Sequence, residues 1–287
     1  MEAIIFALIS YFSWGTGVFF EAIVARKLNS FSLVIWGYII TTLILSFYTP
    51  FSIGDLKNLT WELLILILFI SFVGISFGTV FYYEALKISN RALVGAIASS
   101  FPAVTVILSV LFLNEKISAQ QGAAIAIIFL GLFLSVFNLT KIKNKSLMNK
   151  GILFATLTMF TWGLYFAFIK IPVKEIGWFW PNYITFLIFP VFYLYMRFRK
   201  IKLEAPTKNN ALIFLIVATV LVRMAELSYN LGISKGLVTV VAPIAGANPT
   251  LFVILAFLIF KDPITRQQIA GIVTTLIGIV LLSIFSV

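Results

Sequence analysis

Two opposite charges sit where a chain this apolar should carry none. Arg223 and Glu226 fall inside a run of about 23 largely apolar residues, 210–232. Thr219, Arg223, Glu226 and Asn230 are spaced four, three and four, so a helix places them on one stripe, which Tyr229 extends. A charge at the centre of a bilayer costs roughly 2.5–3.5 kcal/mol on insertion scales, so it turns to a cavity or a partner. Two chemistries are open. The pair can be a mutual i,i+3 ion pair that holds its helix in place, or it can engage a substrate or a coupling proton.

Aromatic residues extend the candidate site. Trp14 and Trp162 lie about halfway along two apolar runs, too deep for interfacial anchors. They can fill a core or form the wall and gate of a binding site, joined by Tyr82, Tyr83, Tyr165 and Tyr229. Aromatic faces with a carboxylate suit an organic cation. Aromatic faces with an arginine suit an amino acid or another carboxylate. Both charges are present, so the choice stays open. Glu21 lies two turns after Trp14, and Lys170 eight residues after Trp162. Each reads either as a charge snorkelling from a helix end or as a coupling or gating group.

The elements that position these residues come from composition. The 287 residues are 61% hydrophobic and 11% charged, against roughly 25% charged in soluble domains. This is the balance of an integral membrane protein. Cysteine and histidine are absent, which excludes disulfides and thiolate chemistry and removes the commonest base and metal ligand. The net charge of +11 is spread over short loops between apolar runs, a membrane-protein pattern rather than a nucleic-acid-binding one. A crossing needs about 20 residues. Ten runs qualify: roughly 3–25, 31–49, 61–84, 92–113, 117–138, 150–171, 180–197, 210–232, 236–260 and 264–286.

The chain is also doubled. Residues 82–131 and 229–278, slid by 147 without a gap, agree at 15 of 50 positions. Apolar composition inflates matches among Leu, Ile and Val, but it does not align Tyr82 with Tyr229, Pro102 with Pro249, or Gly131 with Gly278. The polar joint around 141–150 then divides the chain into 1–140 and 151–287, five runs each. An odd number per half makes the two halves inverted, with a site where they meet. Fifteen of the 21 Lys and Arg residues fall in the loops after odd-numbered runs and five on the other face, which puts both termini outside.

Several motifs recur in order. Ser13-Trp14-Gly15 matches Thr161-Trp162-Gly163. Each half then carries a tyrosine, a small-residue helix with a central proline (Ala96 to Pro102, Ala242 to Pro249), an acidic residue (Glu115, Asp262), a Ser or Thr, a Gln three residues later, and a late Gly. Small residues allow close backbone approach, and the prolines free carbonyls that must face protein or a water-filled cavity. Pro102 and Pro249 are therefore bending points, and Asn248 a polar contact. This doubled order resembles the EamA-type transporters of the drug/metabolite transporter superfamily. The resemblance implies ten helices, alternating access and a small polar metabolite carried through a cavity lined by helices 1, 3, 4, 6, 8 and 9. The chain departs at two places: Ala22 stands where the lysine corresponding to Lys170 is often found, and Trp36 where an early arginine is.

The expected protein is thus an all-α, multi-pass protein of the cytoplasmic membrane. It would act as a secondary transporter of an amino acid, amine or related compound, without a cofactor, as a monomer or homodimer, coupled to protons or another ion. A lipid-modifying enzyme or a channel or scramblase are the alternatives. The enzyme reading lacks a paired acidic motif for magnesium; the only aspartates are Asp55 and Asp262. No Gly-x-Ser-x-Gly elbow or Walker loop is present either.

Overall fold

The computed structural model describes every residue but 26, 90, 137–149, 208, 209, 262 and 287. The joint 141–149 and Asp262, both singled out from sequence, lie outside the described residues. Among those described, the chain is helical without strands: α1 (Glu2–Val24), α2 (Ser30–Ser46), α3 (Thr49–Ser52), α4 (Trp61–Phe69), α5 (Gly78–Ile88), α6 (Arg91–Ala98), α7 (Phe101–Phe112), α8 (Ala119–Val136), α9 (Lys150–Phe168), α10 (Lys170–Ile176), α11 (Trp180–Leu187), α12 (Phe189–Phe198), α13 (Ala211–Lys235), α14 (Val238–Gly246), α15 (Pro249–Phe260) and α16 (Arg266–Ile284). A 3-10 turn, Ile53–Asn58, follows α3, and a π-helical stretch, Ile70–Phe77, joins α4 to α5.

Seven of the described helices or helix series are long and apolar enough to cross a membrane, and an eighth is counted if the pair bent by 65° at Ser46–Thr49 is one span. The two other expected runs, 92–113 and 180–197, are each made of two shorter helices. The breaks have a local cause. Pro102 stands at the start of α7 and Pro190 at the start of α12. A proline removes the amide that would bond four residues back. At α14–α15 the repair is visible. Pro249 leaves the Ala245 carbonyl without its usual donor, and the Asn248 backbone and side-chain amides bond it instead, at 3.4 and 3.1 Å.

Several recurring motif residues turn out to build helices. Thr265 and Gln268 form a reciprocal capping box at the start of α16. Ser118 and Gln121 make the same exchange at the start of α8, with bonds of 3.0 and 3.2 Å. The late glycines let α8 and α16 lie against each other: a Cβ on Gly131 would strike the backbone and hydroxyl of Thr275. Elsewhere α1 lies along α13, and α9 lies along α5 and the π-helical stretch. α7 and α14 meet at the centre, where a Cβ on Gly246 would collide with the Pro102 ring.

Candidate functional site

α13 delivers its stripe to the interior. Arg223 Nη1 donates to Glu226 Oε2 at 2.7 Å, and both are largely buried, with 15% and 4% of their side chains exposed. The guanidinium lies over the Phe186 ring of α11, 4.3 Å from its centroid. Its Nε has no hydrogen-bond partner among the described residues.

Hydroxyls from four further elements surround this pair. Tyr38 of α2 shares a 2.9 Å hydrogen bond with Ser76, and Ser76 donates to the Ser71 carbonyl five residues back at 3.0 Å. The π-helical geometry of Ile70–Phe77 carries one extra residue per turn, and it is what lets Ser76 bond back to Ser71. Tyr165 of α9 donates to Asn182 Oδ1 at 3.3 Å and meets Thr185 at 3.3 Å, and Thr185 meets Ser71 at 2.7 Å. Tyr38, Tyr83 and Tyr165 are all in electrostatic range of Arg223. Glu21 of α1, half-buried, lies in hydrogen-bonding range of Tyr83 and in electrostatic range of both Arg223 and Glu226. Two carboxylates therefore feel one guanidinium, and Glu226 is the one in contact with it. The Asn182 amide, 1% exposed, has no acceptor among the described residues.

The aromatic residues form a second, connected group. Trp14 packs edge-on against Phe166 at 5.1 Å and lies 5.9 Å from Tyr229. Phe101 stands between the two tryptophans, 6.4 Å from Trp14 and 5.9 Å from Trp162. Trp162 continues to Tyr82 at 5.3 Å. Tyr165 links the two groups, because its ring packs edge-on against Phe166 while its hydroxyl enters the polar network. Tyr229 spends its hydroxyl on the Phe166 carbonyl at 2.8 Å.

Three expected residues sit elsewhere. Asn248 is committed to the Ala245 carbonyl, and Asn230 donates to the Trp178 carbonyl at 3.1 Å. Lys170 does not snorkel. It is 7% exposed and bonds Glu115 at 3.2 Å and the Gly236 carbonyl at 2.5 Å. Glu115 in turn accepts from the amides of Val238 and Thr239, at 2.9 and 2.8 Å, at the start of α14. Sequence reasoning passed over Tyr38, Ser71, Ser76, Asn182, Thr185 and the pairing of Glu115 with Lys170. Asn182 alone gave a signal, as an amide inside an apolar run. Among the described residues no group of three acidic residues has metal-binding geometry.

Comparison with known proteins accounts for this architecture. The model of the EamA-like transporter family matches residues 1–137 and again 149–284. An uncharacterised transporter of Bacillus subtilis, YojE, is 23% identical over 279 residues, which is 93% of this chain and 88% of that one. An uncharacterised protein of Methanocaldococcus jannaschii, MJ1333.1, is 35% identical over 135 residues, 46% of this chain but 94% of the archaeal one. One solved crystal structure shares the fold at a TM-score of 0.82 and 14% identity, covering 99% of this chain and 97% of its own. With the family model spanning nearly all of its length, the chain is a multi-pass membrane protein and belongs to the EamA-like transporter family.

Proposed function

We propose that the chain is a secondary transporter that carries a small polar metabolite, an amino acid, amine or related compound, across the cytoplasmic membrane by alternating access. Its ten crossings form two inverted five-helix halves, 1–140 and 151–287. Two kinds of contact support that division. α1 lies along α13 as α9 lies along α5 and the π-helical stretch, and α8 with α16 and α7 with α14 pair first-half with second-half helices. The archaeal relative, matched over 94% of its length by less than half of this chain, is the size of one such half.

The observation that carries the reading is the unfinished bonding of the Arg223–Glu226 pair. A purely structural buried ion pair needs its remaining donors satisfied, or its desolvation is not recovered. Here Arg223 Nε and the Asn182 amide stand without acceptors among the described residues, while Glu21 lies in electrostatic range of the same cation that Glu226 pairs with. The metabolite supplies what is lacking. Its carboxylate or carbonyl oxygens take the orphaned donors, and its ammonium, or a proton between cycles, balances the second carboxylate. The rings from Trp14 through Trp162 close around its apolar part. Saturable, competable uptake of radiolabelled amino acids and amines into proteoliposomes tests this. Uptake that is linear in concentration and indifferent to competitors would indicate a channel instead.

A further inference from the structure

A half-open cavity with charged residues in its lining lies away from the Arg223 network. It has a volume of about 330 Å³ and is lined by Asn114, Glu115, Lys116, Lys170, Lys174 and Leu237, among others. It opens at the α7–α8 joint, the start of α10 and the α13–α14 joint. By the Lys and Arg distribution these belong to the sparsely charged face, which carries five basic residues in all. Three of the five converge on this one cavity. A fourth, Lys235, pairs with Glu2 at 3.5 Å.

Three ammonium groups around one cavity repel one another, and the carboxylate present does not offset them. Both oxygens of Glu115 are already used, by Lys170 and by the Val238 and Thr239 amides. Lys116 and Lys174 form no ion pair among the described residues. Lys170 is 7% exposed, and Glu115 and Gly236 take only two of its three donors. Three lysines against one carboxylate leave two positive charges and one N–H of a buried ammonium without an acceptor among the described residues. A phosphate group carries about −1.5 to −2 charges and three acceptor oxygens, which matches both shortages.

We propose that this cavity binds a phosphate-type anion, held by Lys116, Lys170 and Lys174. The group comes either from a phospholipid headgroup, with Leu237 and the exposed Leu111 and Phe112 beside the acyl chains, or from a soluble phosphate. The site is separate from the transported metabolite's, and its binding readout does not depend on transport. Purified full-length protein is placed in phosphatidylcholine nanodiscs, and its melting temperature is followed while inorganic phosphate is titrated against potassium chloride of equal ionic strength. A second arm replaces part of the phosphatidylcholine with phosphatidylglycerol. A ligand bound by the folded state raises the melting temperature. A rise with phosphate alone identifies a soluble anion, and a rise with phosphatidylglycerol alone identifies the headgroup. The double variant K116Q/K174Q leaves the Lys170–Glu115 pair intact and should weaken the effective response roughly tenfold in ligand concentration. No rise in either arm, or an equal rise in the double variant, overturns the proposal.

Discussion

The two buried ion pairs have the same ingredients and opposite surroundings. Lys170 and Glu115 come from segments 55 residues apart and meet where the α7–α8 joint faces the start of α10 and the start of α14. Every oxygen of that carboxylate is bonded, two of its three partners being backbone amides. Arg223 and Glu226 are three residues apart on one helix, and the arginine's remaining faces meet an aromatic ring and an unanswered Nε. A carboxylate completed by the backbone fixes the chain. A pair left incomplete inside a polar network is available to something else. The first ties the α7–α8 joint to the starts of α10 and α14; the second is, on the proposed reading, the one that binds.

The largest expected effect breaks the first pair. Glu115→Ala leaves a buried lysine without its counter-charge and two α14 amides without an acceptor. Removing one partner of a buried pair costs about 3–5 kcal/mol, which detergent-solution melting should register as a large drop. If Glu115→Ala melts no lower than Glu226→Gln, the distinction between the two pairs fails.

The converse holds for Glu226→Gln. The amide keeps the shape and an acceptor for Arg223, so melting should change little. Transport should fall about a hundredfold, the size of losing roughly 2.7 kcal/mol of charge recognition. The double variant Arg223→Met with Glu226→Leu removes both charges with apolar replacements and should fold while remaining inactive. Wild-type transport in that double variant would make the second pair structural, like the first.

How far these pairs could be read from sequence follows the same division. Arg223 and Glu226 were legible because a charge inside an apolar run has no cheap explanation, and their i,i+3 spacing fixes the face. Trp14, Trp162 and the helix-breaking prolines were legible through the internal repeat. The partnership of Glu115 and Lys170 was not, since it depends on how distant helices cross. Nor were Tyr38, Ser71, Ser76 and Thr185. A hydroxyl in an apolar helix ordinarily bonds a carbonyl on its own helix, as Ser71 does to Ile67, so its second bond is decided only by packing. The Ser/Thr–x–x–Gln steps of the repeat are capping boxes. The charges of the candidate site sit in residues that the doubling does not copy: 147 positions before Glu226 stands Thr79, and 147 before Arg223 stands Ser76.

A smaller effect tests how the arginine is held. Phe186→Leu removes the ring under the guanidinium while keeping an apolar side chain. Cation–π contacts contribute about 0.5–2 kcal/mol. The half-saturating substrate concentration should therefore rise about twofold to thirtyfold, with the melting temperature nearly unchanged.

The smallest expected effect asks whether Glu21 belongs to the second pair at all. Tyr83 lies in hydrogen-bonding range of Glu21, and both lie in range of Arg223. Tyr83→Phe removes one oxygen and keeps the ring. A hydrogen bond contributes about 0.5–1.5 kcal/mol net. If Glu21 acts on Arg223 together with Glu226, loosening it should alter recognition: transport should fall about twofold to twelvefold, by less than with Glu226→Gln. Glu21→Gln should reproduce the loss, and Tyr83→Phe should add little on that background, because two residues acting through one contact are not additive. If the two changes instead add in full, Tyr83 and Glu21 act independently, and the incomplete pair consists of Arg223 and Glu226 alone.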